Sequence, residues 1–166
     1  MSGGAFTGAV NAHLRKALAL IEQCQALRSS DGSRLTQEAL LEGSCFQLQL
    51  AKTNFLREIA ENYQVPDAAR ITNSDDLAAA LSTIDKAPQE LSEIQVSQQE
   101  GWMGAMDSAY NALISNAKVG KAAVQSAGLI QTKQLSSNEL DFAGVESWAS
   151  NLKELVDRQR EMMVEC

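Results

Sequence analysis

Few residues of this chain carry side chains suited to nucleophilic, acid–base or metal chemistry. The sequence contains one histidine, His13, and three cysteines, Cys24, Cys45 and Cys166. A structural zinc site needs four ligands, usually Cys and His in close pairs, and a di-iron bundle needs Glu-x-x-His motifs on facing helices. The sequence has neither pattern, so we expect no metal and no cofactor.

The internal cysteines and the carboxylates point to structure rather than catalysis. Cys24 and Cys45 fall on apolar stripes, where a thiol is usually an inert core side chain. We expect His13 to lie at the surface or at the boundary of the core. Glu58 and Glu61 are three residues apart, and we interpret them as part of a solvated charge network rather than an acid–base pair. The sequence has no phosphate-binding glycine loop and no nucleophile elbow.

The overall charge disfavours nucleic acid as a partner. The net charge is −7 over 166 residues, whereas a general nucleic-acid binder needs a basic face to neutralise phosphates. The first residues lack the pattern of a signal peptide, and no segment approaches the ~20 apolar residues of a membrane span. An odd number of cysteines argues against a disulfide scaffold. We therefore expect a cytoplasmic protein without membrane contact, whose partner is another protein.

The elements that must position these side chains are helices. The chain has only two prolines and is rich in Ala, Leu, Gln and Glu, which lose little entropy in a helix. Apolar residues recur at spacings of three and four, as on one face of a helix. The predicted helices cover approximately residues 6–27, 36–64, 74–84, 88–94, 98–118 and 140–163.

Local signals refine these boundaries. Ser74 resembles an N-cap, and Ser97 with Glu100 forms a capping box that predicts a new helix start. Residues 74–100 carry six acidic side chains against one lysine, and we interpret them as a solvated face. Gly43, inside the second helix, predicts close helix packing where a larger side chain would not fit.

Together these elements predict an all-α fold, an antiparallel up-and-down helix bundle of four main helices plus one or two short helices. The bundle would be a single domain over residues 1–166, with residues 119–139 as a long mobile connection. Because this connection contains apolar residues that a solvated linker does not need, Leu129, Ile130 and Leu135 are candidate partner-docking residues. Alternatively, these three side chains fold back and cap one end of the bundle.

Part of the sequence resembles a known family. The segments LEGSCFQL (41–48), FLREIAENY (55–63) and GWM (101–103), with the spaced residues from Trp148 to Met162, are similar to a family of short uncharacterised proteins from gammaproteobacteria whose domain carries an unknown-function label. The resemblance implies a helical bundle in a bacterial cytoplasm. It implies no activity.

A second likeness is to the helical bundles of toxin–antitoxin and nucleotide-binding systems. Their nuclease members carry an arginine followed within a few residues by a histidine, but here Arg57 is followed by Asn62 and no histidine occurs after His13. The catalytic imidazole would be missing. We expect a non-enzymatic interaction or accessory protein. The alternatives are a degenerate nuclease-type bundle that binds a partner or nucleic acid without cleavage and, third, a small-molecule-binding bundle.

Overall fold

The computed structural model describes residues 4–115 and 140–164. This part of the chain is helical and contains no strand, so the all-α prediction is confirmed. The elements are α1 (Ala5–Ser29), α2 (Arg34–Asn62), a 3-10 turn (Ala68–Arg70), α3 (Ser74–Ser82), α4 (Gln89–Glu100), α5 (Trp102–Ser115) and α6 (Phe142–Val164). No helix in these two ranges is long and apolar enough to cross a membrane.

α1 and α2 form a tight hairpin. The connection reverses direction at Asp31, which has a positive φ of 52°, and the Ser33 hydroxyl oxygen caps α2. Gly43 faces α1, since a Cβ at this position would lie 3.3 Å from the Leu20 side chain. Near the middle of the hairpin, His13 is hydrogen-bonded to Gln47 at 2.8 Å. Leu20 of α1 lies beside Gly43 of α2, whereas His13, earlier in α1, lies beside Gln47, later in α2. The two helices therefore run in opposite directions.

α2 is the central helix of the described structure. α1, α3, α5, α6 and the 3-10 turn all contact it. The spacing of three and four predicts a core stripe on this helix, and its residues are buried: Leu41, Cys45, Leu48, Ala51, Phe55 and Ile59. From Ala51 to Ala60 nearly every residue is buried, including polar ones. Any polar side chain on this stretch therefore needs a partner from a neighbouring helix, because an unpaired buried polar group is costly.

The corner between α4 and α5 differs from the prediction. The expected helix start at Ser97 is wrong, because α4 continues through Ser97 to Glu100 and α5 begins at Trp102. The break falls at Gly101, whose backbone is extended (φ −128°, ψ −165°). A Cβ on Gly101 would lie 2.9 Å from the Ser97 carbonyl oxygen. The corner therefore needs a glycine to turn this closely on α4.

Two expectations about the acidic stretch 74–100 need correction, namely the N-cap of α3 and the exposure of Glu90, whereas Asp75, Asp85 and Glu100 are exposed as expected. The N-cap of α3 is Asn73, whose side-chain oxygen accepts a backbone N–H of the first turn at 2.9 Å, while Ser74 is buried. Glu90 is only 7% exposed, and the Tyr63 hydroxyl donates to its carboxylate at 3.3 Å. Local charge density suggested a solvated face, but the tertiary neighbours that cover Glu90 come from distant parts of the chain.

Candidate functional site

A pocket of about 270 Å³ opens between α2 and α5, beside the loop before α3. We call it the α2–α5 pocket. Its lining residues are Phe46, Gln49, Leu50, Lys52, Thr53, Thr72, Asn73, Gln98, Asp107, Tyr110 and Asn111. Most of these side chains carry hydrogen-bonding groups, and two of them are charged. Convergent polar groups in a concave site are the usual signature of a binding pocket.

The floor of the α2–α5 pocket is an ion pair between Lys52 and Asp107. Only 8% of the Lys52 side chain and 20% of the Asp107 side chain are exposed. The Asp107 carboxylate also accepts hydrogen bonds from the side-chain amides of Gln49, at 2.7 Å, and Gln98, at 3.0 Å. A buried ion pair is favourable only when further hydrogen bonds satisfy its remaining donors and acceptors. The two amides supply that satisfaction to the carboxylate.

Three helices position this floor. Gln49 and Lys52 are three residues apart on α2 and so share one face. Gln98 comes from the last turn of α4, where the Ser74 hydroxyl donates to its amide oxygen. A Cβ on Gly104 would lie 2.3 Å from the Gln98 carbonyl oxygen. The glycine therefore allows α5 to approach the end of α4 closely enough for Gln98 to reach Asp107.

The rim of the pocket is aromatic on one side. The rings of Phe46 and Tyr110 are 6.2 Å apart between centroids, with an interplanar angle of 32°. Phe46 is 47% exposed, which is high for a large apolar residue. Thr53 and Asn111 stand nearby in the lining, and neither side chain is hydrogen-bonded to another residue of the described ranges. The pocket thus combines an accessible ring surface with free polar groups.

The cysteine beside this network is held protonated. Burial, and secondarily the negative charge of Asp107, raises the pKa of the Cys45 thiol to about 11. Burial also raises the pKa of Cys24, although Arg28 opposes the effect. Because the thiolate is the reactive form, both side chains are poor nucleophiles at neutral pH. Both are buried and neither forms a disulfide; burial is what the apolar stripes predict.

A second buried ion pair lies further along α2, near its C-terminal end. The Arg160 guanidinium donates to both carboxylate oxygens of Glu58 at 2.8 Å and to the Asn11 amide oxygen at 2.8 Å. The Glu58 side chain is 9% exposed, so the expectation that it belongs to a solvated network is wrong. We call these three residues the Arg160 clamp. It joins α6 to α1 and α2 with bidentate geometry, which suits a structural role.

The remaining sequence candidates have ordinary partners. His13 is half-buried beside Gln47, a boundary position. Arg57 donates to the Ile71 carbonyl oxygen at 2.8 Å, which fixes the chain after α2. Within residues 4–115 and 140–164, no three His, Cys, Asp or Glu side chains group closely enough to hold a metal ion.

The predicted docking residues cannot be placed. Leu129, Ile130 and Leu135, and the connection 119–139 as a whole, lie outside the described residues. Another pocket, of about 380 Å³, is lined by Leu113 and Leu140, which lie close to the two ends of the gap between the described ranges. Its wall includes Phe142, over which the Arg28 guanidinium lies at 4.7 Å from the ring centroid. Because its surroundings are only partly described, we place no site there.

Sequence reasoning missed the α2–α5 pocket. One signal was present, because Lys52 lies four residues after Leu48 and three before Phe55, at the edge of a core stripe. A lysine at such a position must either extend along the surface to water or find a carboxylate. The identity of the carboxylate depends on the pairing of α2 with α5, which the spacing of residues in one helix does not reveal.

Comparison with known proteins identifies a family but no activity. Residues 6–166 match a family described as "Family of unknown function (DUF6586)". No curated protein matches the chain. No solved structure matches it.

Proposed function

The chain belongs to this family of unknown function. We propose that it acts by binding rather than by catalysis, as an interaction or accessory protein. We propose the α2–α5 pocket as its recognition site. The observation that carries the proposal is the Lys52–Asp107 pair, buried at the floor of an open pocket. A fold that needed only stability would be served as well by apolar side chains at these two positions. The pair instead keeps a polar, preorganised surface at the bottom of a cavity.

The chemistry of the pocket suits recognition. The charged groups at its floor already neutralise each other, and the neighbouring thiol of Cys45 has a raised pKa. No strong nucleophile is therefore presented at neutral pH by these side chains. In contrast, the ring of Phe46 and the side chains of Thr53 and Asn111 are available for contact. Such a mixture of one aromatic anchor and several adaptable polar groups is typical of binding surfaces.

The scaffold we propose for this site is an antiparallel four-helix bundle of α1, α2, α5 and α6. Three sets of contacts support it. α1 opposes α2 in the hairpin. Phe46 meets Tyr110 while Lys52 meets Asp107, so α5 runs against α2. Arg160 meets Asn11 near the start of α1, and Phe142 meets Arg28 near the end of α1, so α6 runs against α1. Bundles commonly place binding sites between facing helices.

We further propose that the protein works in the cytoplasm of a bacterium and that its partner is another protein. The net charge of −7 supports a partner other than nucleic acid, because anionic phosphates are repelled. A second candidate function, small-molecule binding, is favoured by one specific observation. The α2–α5 pocket is concave, and its volume of about 270 Å³ is close to the roughly 300 Å³ at which ligand pockets begin.

The test compares two variants that each remove an exposed apolar side chain. Phe46→Ala alters the pocket rim, whereas Leu18→Ala alters a residue of α1 that is 40% exposed and does not line the pocket. The tagged proteins are expressed in the native host, and co-purifying proteins and small molecules are quantified by mass spectrometry. We expect a partner that is recovered with the wild type and with Leu18→Ala but is depleted with Phe46→Ala. Equal recovery with both variants would overturn the proposed site.

A further inference from the structure

The lining of the α2–α5 pocket also limits the chemistry of what it binds. We propose that the pocket takes an uncharged, planar nitrogen heterocycle of the nucleobase or nucleoside class. This inference rests on the pocket being the binding site of the proposed function, and it narrows the small-molecule alternative. It is carried by three properties of the lining, which are its charge balance, its free hydrogen-bonding groups and its aromatic rim.

The charge balance selects against ions. Lys52 and Asp107 are the only charged residues among the eleven that line the pocket, and they neutralise each other. An anionic ligand would have to compete with Asp107 for Lys52, and a cationic ligand would have to compete with Lys52 for Asp107. Either competition leaves one buried charge without its partner, which is costly. An uncharged ligand leaves the pair intact.

The hydrogen-bonding groups favour a ligand with both donors and acceptors. Gln49 uses its NH₂ group on Asp107, which leaves its amide oxygen as an acceptor. Asn111 keeps both its oxygen and its NH₂ group free of the other described residues, and the Thr53 hydroxyl both donates and accepts. A carboxamide pairs with a planar edge that carries a donor beside an acceptor, as when Asn or Gln binds the edge of adenine. Nucleobases have such edges.

The aromatic rim favours a flat ligand. Phe46 and Tyr110 line the same side of the pocket, and the exposed Phe46 ring offers a surface on which a heterocycle can stack. Stacking on an aromatic side chain tolerates any base, because every base has a π face. The hydrogen bonds of Asn111 and Gln49 would then select the edge. Phosphorylated forms are disfavoured by the neutral pocket and by the net charge of −7.

The full-length protein is titrated with adenosine, cytidine, adenosine monophosphate and ribose. Binding is measured by amide NMR shifts and by calorimetry. We expect at least one nucleoside to bind, with the largest shifts at residues lining the pocket, and ribose not to bind. Phe46→Leu, which keeps an apolar side chain but removes the ring, should weaken binding by at least about tenfold. Asn111→Ala should also weaken it, while Asn62→Ala, an exposed asparagine of α2 outside the pocket, should not.

Three results would overturn the inference. The first is that neither nucleoside binds at millimolar concentration. The second is that the monophosphate binds more tightly than adenosine, since this would mean that the pocket selects anions. The third is nucleoside binding that Phe46→Leu and Asn111→Ala leave unchanged. If Phe46→Ala still depletes a protein partner in the preceding experiment, then the recognition site stands and only the ligand class is wrong.

Discussion

Replacing Asp107 by asparagine should destabilise the fold through Lys52. The substitution preserves the size of the side chain but removes the charge that compensates a lysine with only 8% of its side chain exposed. Breaking a buried ion pair by removing one partner costs roughly 3–5 kcal/mol. Because a fifth of the Asp107 side chain is exposed, solvent screens part of the interaction. We expect a loss of about 2–3 kcal/mol in the free energy of unfolding.

The measurement is urea unfolding followed by circular dichroism, with the free energy taken from the midpoint and slope. Asp157→Asn is the matched control, because Asp157 pairs with Lys153 four residues away on α6 and both side chains are more than half exposed. An exposed pair of this kind contributes about 0–1 kcal/mol. The Lys52→Met/Asp107→Asn double variant should lose less than the sum of the two single variants, since no buried charge is then left unpaired.

The same substitution has a second readout at Cys45. The negative charge of Asp107 is the smaller of two causes that raise the pKa of this thiol to about 11, and burial is the larger. Asp107→Asn should therefore lower the pKa of Cys45 but leave it above its ordinary value of 9.0. NMR titration of the Cys45 Cβ shift in the folded protein should show this lower pKa. A stability loss no larger than that of Asp157→Asn, together with an unchanged pKa of Cys45, would refute the buried-pair argument.

Three further outcomes are expected. Leu48→Ala and Leu152→Ala, at fully buried positions, should each lose about 2–5 kcal/mol, while Leu35→Ala, at a position 76% exposed, should be nearly neutral in the same urea assay. The Thr72 hydroxyl and backbone N–H lower the pKa of Asp76 below 3.8, so NMR titration should show a rise toward 3.8 in Thr72→Val. The contribution of Asp76 to stability should be present above pH 3.8 and be lost as the pH falls through the lower folded-state pKa. The free energy of unfolding should also fall as the pH rises from about 9 to about 11, because Cys45 loses its proton at a lower pH in the unfolded chain than in the folded protein. Urea unfolding measured across this pH range should show a smaller fall for Cys45→Val.

Helix positions and the main core stripes follow from the sequence because they depend on short-range periodicity. The stripe of α2 is an example, since Leu48, Ala51 and Phe55 are set by spacing alone and are buried. The same spacing rule places Leu18, four residues after Leu14, in the apolar stripe of α1, but Leu18 is 40% exposed. Its position between Ala17 and Ile21 lies on the edge of the stripe. Periodicity therefore defines the centre of a buried face better than its borders.

The polar interior follows less readily from the sequence. Glu58 and Arg160 are separated by 102 residues, and Lys52 and Asp107 by 55. A charged residue near an apolar stripe indicates that a partner is needed, but many carboxylates and several basic residues were available in this acidic chain. The local rules also predicted a wrong helix start at Ser97. The capping-box pattern there lies inside α4, because the helix ends just before Gly101 instead. Tertiary contacts decided between competing local signals.

The two buried ion pairs together explain how one helix can have different neighbours on different faces. Lys52 and Glu58 are six residues apart on α2, which is about 240° around the helix at 3.6 residues per turn, so they point to different sides. Apolar side chains pack against many partners, but a buried lysine requires a carboxylate and a buried glutamate requires a base. Lys52 therefore selects α5 through Asp107, and Glu58 selects α6 through Arg160. In the Arg160 clamp, both carboxylate oxygens of Glu58 accept hydrogen bonds from Arg160. Lys52, in contrast, lies at the floor of an open pocket. This difference in access is why we assign recognition to one pair and structure to the other.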